Sequence, residues 1–393
     1  MTAPKPAIGQ ATELTKHFKA CVPFLRIDTL QRVVDLVLAM ITAQSVNQRD
    51  LGPHMPGTSS AEAKKRRVER AVHDEQLTLQ VFLALLLIHL PRGKVLMSLD
   101  RTTWEHGDSP LNLLVLGAVV HGYTIPLVWV ALDHTGNSDT RARMWLVLKL
   151  LRALPAPRWK GLVADREFIG AEWFRFLRRK GIRRAIRIRK DMVLDDLQAD
   201  EWFGDLQPGQ FKMIAEKTWV FGEWMRVVAT RSPAGDLVII ATDFGVWETW
   251  KLYKLRWSVE CTFGSLKTRG FDLERTGVTQ PKRLERLFGL VILAWTSLLR
   301  VGVWLQDVKP IKVLAHGRKA MSLVRYGSER LRNALRWDPE ELPNLFTVLI
   351  RSFQRQERLK VKLSATELQG SGARLFTLMA YLCLPFQTAF PSG

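Results

Sequence analysis

"KVLMSLDRTTW" (Lys94–Trp104), "NLLVLGAVVHGY" (Asn112–Tyr123) and "IPLVWVALD" (Ile125–Asp133) decide the fold. Each is a short run rich in Val, Leu, Ile and Thr, set off from the next by turn residues, which is the mark of strands. "GYTIP" (122–126) reads as a tight turn between the second and third. "SDTRARMWLVLKLLRAL" (138–154) is then a capped, amphipathic helix, and "WKGLVAD" (159–165) another buried strand. "AEWFRFLRRKG" (171–181) is a helix stopped by Gly181. "IRRAIRIRK" (182–190) alternates apolar and basic residues, as a strand with one wet, cationic face would. The order β-β-β-α-β-α-β predicts an α/β fold, a mixed sheet with helices on its faces.

Outward from this block the pattern changes twice. Residues 191–248 read as a β-rich insertion, with "GQFKMIAEKTWVFGEWMRVVATRSPAGDLVIIATD" (209–243) forming three antiparallel strands. A long helix should follow, then helices to the end, with "ARLFTLMAYLCL" (373–384) a further ordered segment. Upstream, "TLQRVVDLVLAMITAQSVNQRDL" (29–51) repeats apolar residues at helical spacing. "GPHMPGTSS" (52–60) interrupts it, and "SSAEAKKRRVERAV" (59–72) opens a basic, Ser-capped helix. The expected divisions are a helical DNA-binding domain (1–90), the first part of a catalytic core (91–190), the insertion (191–248), the rest of the core (249–305) and a helical carboxy-terminal region (306–393).

The 393 residues carry a formal net charge of +20, and 47% of them are hydrophobic. That composition supports a sizeable core and predicts attraction to polyanions. Three scattered cysteines, Cys21, Cys261 and Cys383, support neither a disulfide framework nor a zinc site and fit a reducing cytoplasm. "LTLQVFLALLLIHL" (77–90) and "LFGLVILAWTSLL" (287–299) are shorter than the roughly 20 residues of a spanning helix, so both read as core helices with no membrane partner.

Four aspartates end strand-like runs: Asp100, Asp133, Asp165 and Asp243. A strand end holds a hard oxygen ligand rigidly, but such an Asp is as readily a turn residue. Later, "YKLRWSVECTFGSLKTRG" (253–270) puts Tyr253, Arg256, Glu260 and Lys267 on one narrow stripe at about 100° per residue. Taken alone, this is equally a salt-bridged exposed face. His106, His121 and His134 fall in no helical ligand spacing and are assigned to no metal.

Three blocks in order remove the ambiguity: "SLDRTTW" (98–104), "VADREF" (163–168) and "YKLRWSVECTFGSLK" (253–267). With them the chain resembles the DDE transposases of bacterial insertion sequences, the IS-four family, over roughly residues 25–305. The last block matches that family's signature of Tyr, Arg, Glu and Lys at fixed spacing. "GYTIPLVWVALDHTGNSDT" (122–140) and "LVLAMITAQSVNQRDL" (36–51) add to the likeness. The resemblance implies a ribonuclease-H-like core with a β-strand insertion before the Glu-bearing helix. It picks Asp100, Asp165 and Glu260 as catalytic and metal-binding residues and leaves Asp133 and Asp243 structural. Only 95 positions separate Asp165 from Glu260, so the insertion is short, which puts a DNA-hairpin intermediate in doubt.

The implied cofactor is a pair of Mg²⁺ ions, replaceable by Mn²⁺. The implied partners are double-stranded DNA, at element ends and target, and a second copy in a synaptic dimer. Arg256 and Lys267 are expected to grip phosphates on either side of the scissile bond, and Tyr253, also a DNA-binding candidate, to donate a hydrogen bond to a phosphate or stack on sugar and base. Arg166, Arg187 and Arg189 are further DNA-binding candidates. Arg187 and Arg189 belong to "RFLRRKGIRRAIRIRK" (175–190), which has nine Lys or Arg in sixteen residues. Base-reading residues are expected within 25–75, near "KKRRVER". Trp202, Trp219 and Trp224 in the insertion read as core more readily than as base-stacking platforms. The expected activity is Mg-dependent cutting of element ends and joining of 3′ ends to target DNA. The alternatives are an inactive DNA-binding repressor, or a nuclease or resolvase of this fold that cuts without joining. The expected setting is the bacterial cytoplasm, at the nucleoid.

Overall fold

A computed structural model describes residues 8–106, 109–214, 217–232, 234–267 and 270–351. The segment 373–384 lies outside them. In chain order, α1 (Ile8–Cys21), α2 (Ile27–Ala43), α3 (Gln48–Leu51), α4 (Ala61–His73) and α5 (Leu79–Leu87) precede β1 (Val95–His106), β2 (Ser109–Val120) and β3 (Tyr123–Leu132). Next come α6 (Thr140–Leu151), β4 (Trp159–Ala164), α7 (Ala171–Arg179) and β5 (Arg184–Ile188). The short strands β6 (Val193–Leu194), β7 (Leu197–Gln198), β8 (Phe211–Met213) and β9 (Thr218–Val220) lead into β10 (Glu223–Arg231) and β11 (Leu237–Thr242). The helices α8 (Val246–Lys254), α9 (Ser258–Leu266), α10 (Pro281–Val308), α11 (Leu323–Arg336) and α12 (Leu342–Leu349) follow.

The order β-β-β-α-β-α-β is present, and the fold is ribonuclease-H-like: open, mixed β-structure flanked by helices, with a β-rich insertion and helical regions at both ends. It divides into two compact units. One takes the chain up to Arg158 and resumes at Trp257; the other is Trp159–Arg256.

In the first unit β1, β2 and β3 form an antiparallel meander. The β2–β3 turn is His121–Gly122, with φ of 50° and 82°. Two positive φ values make a turn whose twist matches the strands it joins. The expected turn at 122–126 is therefore corrected: Tyr123 to Pro126 already lie in β3, and Pro126 sits opposite Gly117 at a register shift. A strand proline, lacking N–H, is tolerated at such an irregularity. Asp100 is also corrected. It stands mid-strand opposite Val115, because β1 pairs with β2 as far as His106–Ser109.

α10 is the core helix of this unit. Pro281 opens it, and it is buried nearly all round, with 94% of its apolar window covered. It packs on α2, α5, α11, α12 and β3. A helix apolar on every side needs such a position.

In the second unit β4 and β5 are parallel, and β5, β11, β10 and β8 continue antiparallel, with β9 also on β10. The three-strand expectation for 209–243 is corrected to four, β8 to β11, with β6 and β7 a separate small hairpin. Trp219 and Trp224 correct the core reading of the insertion tryptophans. Directly opposed on β9 and β10, they are 50% and 61% exposed and meet edge to face at 5.2 Å. Trp202 is half-buried and its Nε1 donates to Leu194 O at 2.9 Å.

Candidate active site

The motif that should form one helical stripe is broken. Tyr253 lies in the last turn of α8, Arg256 in a 3₁₀ turn over Leu255–Trp257, Glu260 in α9, and Lys267 at the cap of α9. No Gly or Pro causes the break. α8 buries Thr249, Leu252 and Tyr253 and packs on β4 and β5, while α9 buries Ser258, Val259, Thr262, Phe263 and Leu266 and packs on β3 and β1. The two halves bury different faces, and a tighter 3₁₀ turn changes the rotation between them. The boundary between the units falls within this turn, after Arg256.

In the first unit Asp100 on β1 and Glu260 on α9 occupy elements that pack together, and both are half-buried. α9 is fastened by Thr124 at the start of β3. Thr124 N donates to Thr262 Oγ1 at 3.0 Å, Thr262 Oγ1 donates to Thr124 O at 2.9 Å, and Thr124 Oγ1 shares a hydrogen bond with Ser258 Oγ at 2.6 Å. Ser258 and Thr262, four apart, share the fastened side; Glu260 is two residues from each and projects from another. These hydroxyl residues position Glu260 and were missed in the sequence, although their i, i+4 spacing was there to see. Lys267 closes the helix: its Nζ donates to Thr103 O at 2.7 Å, lies 3.2 Å from Glu274, and sits 5.7 Å from the Trp104 ring centre. It is tied to β1 and to a carboxylate.

In the second unit Asp165 directly follows β4, at the strand end expected of it. Arg187 of β5 lies 3.8 Å from its Oδ1, and the Tyr253 hydroxyl points to the same oxygen at 3.5 Å. Burial, more than the charge of Asp165, pushes the Tyr253 phenol far above its ordinary range, so it stays protonated and can only donate to a carboxylate. Arg256 stands 5.9 Å over the Tyr253 ring. Arg166 and Arg189 are exposed, Arg189 with Asp191 at 3.6 Å. Asp243 is engaged in structure: it accepts from Arg184 Nε at 2.7 Å, Arg184 Nη2 at 3.0 Å and Arg184 N at 2.8 Å.

Five of the nine cations in the basic run 175–190 are paired with carboxylates, Arg189 with Asp191 among them. Arg178 pairs with Glu223 at 2.6 Å, Arg183 with Glu248 at 3.6 Å, Arg184 with Asp243 and Arg187 with Asp165. On α4, Arg67 is likewise held by Asp35 at 2.8 Å, and Arg66 and Lys65 pair along the helix with Glu62 and Glu69.

Among the described residues, no three His, Cys, Asp or Glu side chains converge into a ready-made metal cage. The donor chemistry of Asp100, Asp165 and Glu260 still fits Mg²⁺, a hard cation that takes one or two carboxylates and completes its shell with water and phosphate oxygens.

A family model described as the transposase DDE domain matches residues 91–297. No curated protein matches the chain significantly. Among solved structures the chain is similar to the piggyBac transposase in a synaptic complex with hairpin DNA, at 10% identity and a TM-score of 0.44, over 98% of this chain and 84% of that one. It is also similar to endonuclease V of Bacillus subtilis, at 10% identity and a TM-score of 0.26, over 49% of this chain and 90% of that one. Both likenesses are too distant to bear on activity.

Proposed function

The chain belongs to the transposase DDE-domain family, and on that premise we propose that it binds the ends of a mobile DNA element, cuts them and joins the freed 3′ ends to target DNA. The observation carrying this reading is that the matched stretch, 91–297, contains all three candidate acids in the order Asp, Asp, Glu, with the Tyr, Arg and Lys of the signature around the last. Asp100, Asp165 and Glu260 would hold the divalent ions. Held there, a pair of Mg²⁺ ions would supply activation of the attacking oxygen and stabilisation of charge on the leaving one.

The chain's own residues do the rest. The Thr124 fastening holds Glu260 on α9 in a fixed orientation. Arg187 compensates the Asp165 carboxylate, a nearby cation favouring its charged form. Tyr253 steadies Asp165 by donating a hydrogen bond, and Arg256 binds a phosphate as a planar fork. Arg166 and Arg189, exposed on the second unit, add phosphate contacts. The Lys267 ammonium meets DNA beside its Glu274 partner. The joined product requires two ends at once, so a homodimer is the acting form, at the nucleoid in the cytoplasm.

The test is purified protein with a labelled element end and Mg²⁺. The parent should nick the end and, given supercoiled plasmid, transfer it. Asp100→Ala and Glu260→Gln should bind the end normally while cleavage falls at least about 100-fold, the usual scale for a lost charge-stabilising or proton-transfer group. Near-normal cutting by Glu260→Gln would refute the acid assignment. End binding without nicking by the parent would make the protein a repressor, and nicking without transfer a nuclease.

A further inference from the structure

Residues 308–322, "VKPIKVLAHGRKAMS", join α10 to α11 and contain no acidic residue. They form a hydrogen-bonded hairpin. Leu314 N donates to Arg318 O at 2.8 Å, Ala320 N to Lys312 O at 2.8 Å, and Val313 bridges Lys319. Gly317, at φ +78°, makes the tip. The base is fixed: Ile311 is buried, Lys319 Nζ donates to Gln306 Oε1 at 3.0 Å, and the Tyr326 hydroxyl of α11 donates to Lys309 O at 3.1 Å. Every residue from Lys312 to Ala320 is exposed.

This hairpin differs from the other basic segments in one respect. In the run 175–190 five of the nine cations, and on α4 three of the five, pair with carboxylates, whereas among the described residues none of Lys309, Lys312, Arg318 and Lys319 forms an ion pair. An ordered arm that carries uncompensated cations spends its charge on no internal partner, and mutual repulsion disfavours clustering them unless an external anion is met. A rigid base also lowers the entropy cost of holding such an anion.

We propose that hairpin 309–320 is a phosphate-gripping arm for duplex DNA, distinct from the acids and the signature helix. The inference rests on the DNA-binding reading above. The contacts are to backbone phosphate, so they position the protein without reading sequence, and they serve element and target DNA alike.

The experiment measures affinity against salt for the full chain on two labelled duplexes, one of random sequence and one carrying the repeats that flank the gene. Each phosphate contact contributes about 0.9 to the slope of log K on log salt. Lys312→Gln/Arg318→Gln should therefore make the slope shallower by about 1.8 on both duplexes, with an unchanged melting temperature. The charge-keeping pair Lys312→Arg/Arg318→Lys should restore the parent slope. A control pair of the same charge change, Lys16→Gln/Lys282→Gln, removes cations already paired with Glu13 and Glu285 and should leave the slope alone. An unchanged slope in the hairpin variant, an equal change in the control, or a loss confined to the repeat duplex would each overturn the arm. Parent protein that binds neither duplex would overturn the DNA-binding reading with it.

Discussion

Among single residues, the contrast between Asp243 and Asp165 is the most informative. Both follow a strand, both face an arginine of β5, and sequence offers no local means of separating them. Asp243 meets Arg184 through three hydrogen bonds, and Arg184 is 3% exposed at its side chain and also donates to Phe174 O. That arginine cannot be reached by DNA or metal-bound phosphate, so the pair is a fixture of the sheet. Arg187 touches Asp165 by one long contact from a half-buried position, leaving carboxylate oxygen for other partners. Truncating one partner of a buried ion pair strands the other charge, which costs about 3–5 kcal/mol. Arg184→Ala should lose roughly that much in urea unfolding, and Arg184→Met/Asp243→Leu should recover most of it. A loss well under about 1 kcal/mol in the single variant would mean the pair is not shielded from water.

For the elements, the crossing of α10 and α11 is set by two glycines. A Cβ on Gly302 would overlap the carbonyl of Leu323, and one on Gly327 would overlap the carbonyl of Leu298. The helices therefore touch backbone to backbone at this point, and neither neighbour can yield as a flexible side chain would. Overpacking of a tight contact costs typically about 1–3 kcal/mol. Gly302→Ala and Gly327→Ala should each lower stability by at least that amount in thermal or urea unfolding, and parent-like stability in both would show that the helices part freely. The sequence gives little sign of this contact, since a helical glycine looks the same whether crowded or open. The strands of the core were legible as short apolar and β-branched runs set off by turn residues, whereas the insertion holds one strand more over 209–243 than its sequence suggested. Strand limits were not legible: Asp100 lies mid-strand because β2 supplies partners beyond it. The break between α8 and α9 was equally hidden. Helical spacing runs straight through residues 255–257, and only the separate burial of the two halves interrupts it. The candidate acids could be named from motif order, but the Asp165–Arg187–Tyr253 cluster spans 88 positions of chain and is a product of folding alone.

For the whole molecule, the net charge of +20 is what remains after 38 acidic side chains are set against 58 basic ones, so a polyanion approaching from a distance meets a strongly positive chain although many individual cations are paired. Stability also has a whole-chain dependence on acid. His89, at the end of α5, is fully enclosed. Burial first, then Arg300 and His17, drive its pKa down from 6.5 to about 3. The unfolded chain takes up this proton near pH 6.5 and the folded one only near 3. The contribution to stability is thus complete above about 6.5 and is lost as pH falls toward 3, at about 1.4 kcal/mol per pH unit. Melting temperature should decline over that range in the parent, and His89→Leu should flatten the decline. An identical acid limb in both would remove His89 as its source.

The discontinuous first unit has a consequence for biosynthesis. α10 covers α2, α5 and β3, yet it is encoded after residues Trp159–Arg256 of the second unit. A growing chain moves from the amino terminus onward, and its domains ordinarily fold as they appear. Here the first-made helices and the meander must wait on the ribosome, their oily surfaces without the lid they will finally have, until position 308 has emerged. The described part of the second unit, Trp159–Arg256, is one uninterrupted stretch and can close first.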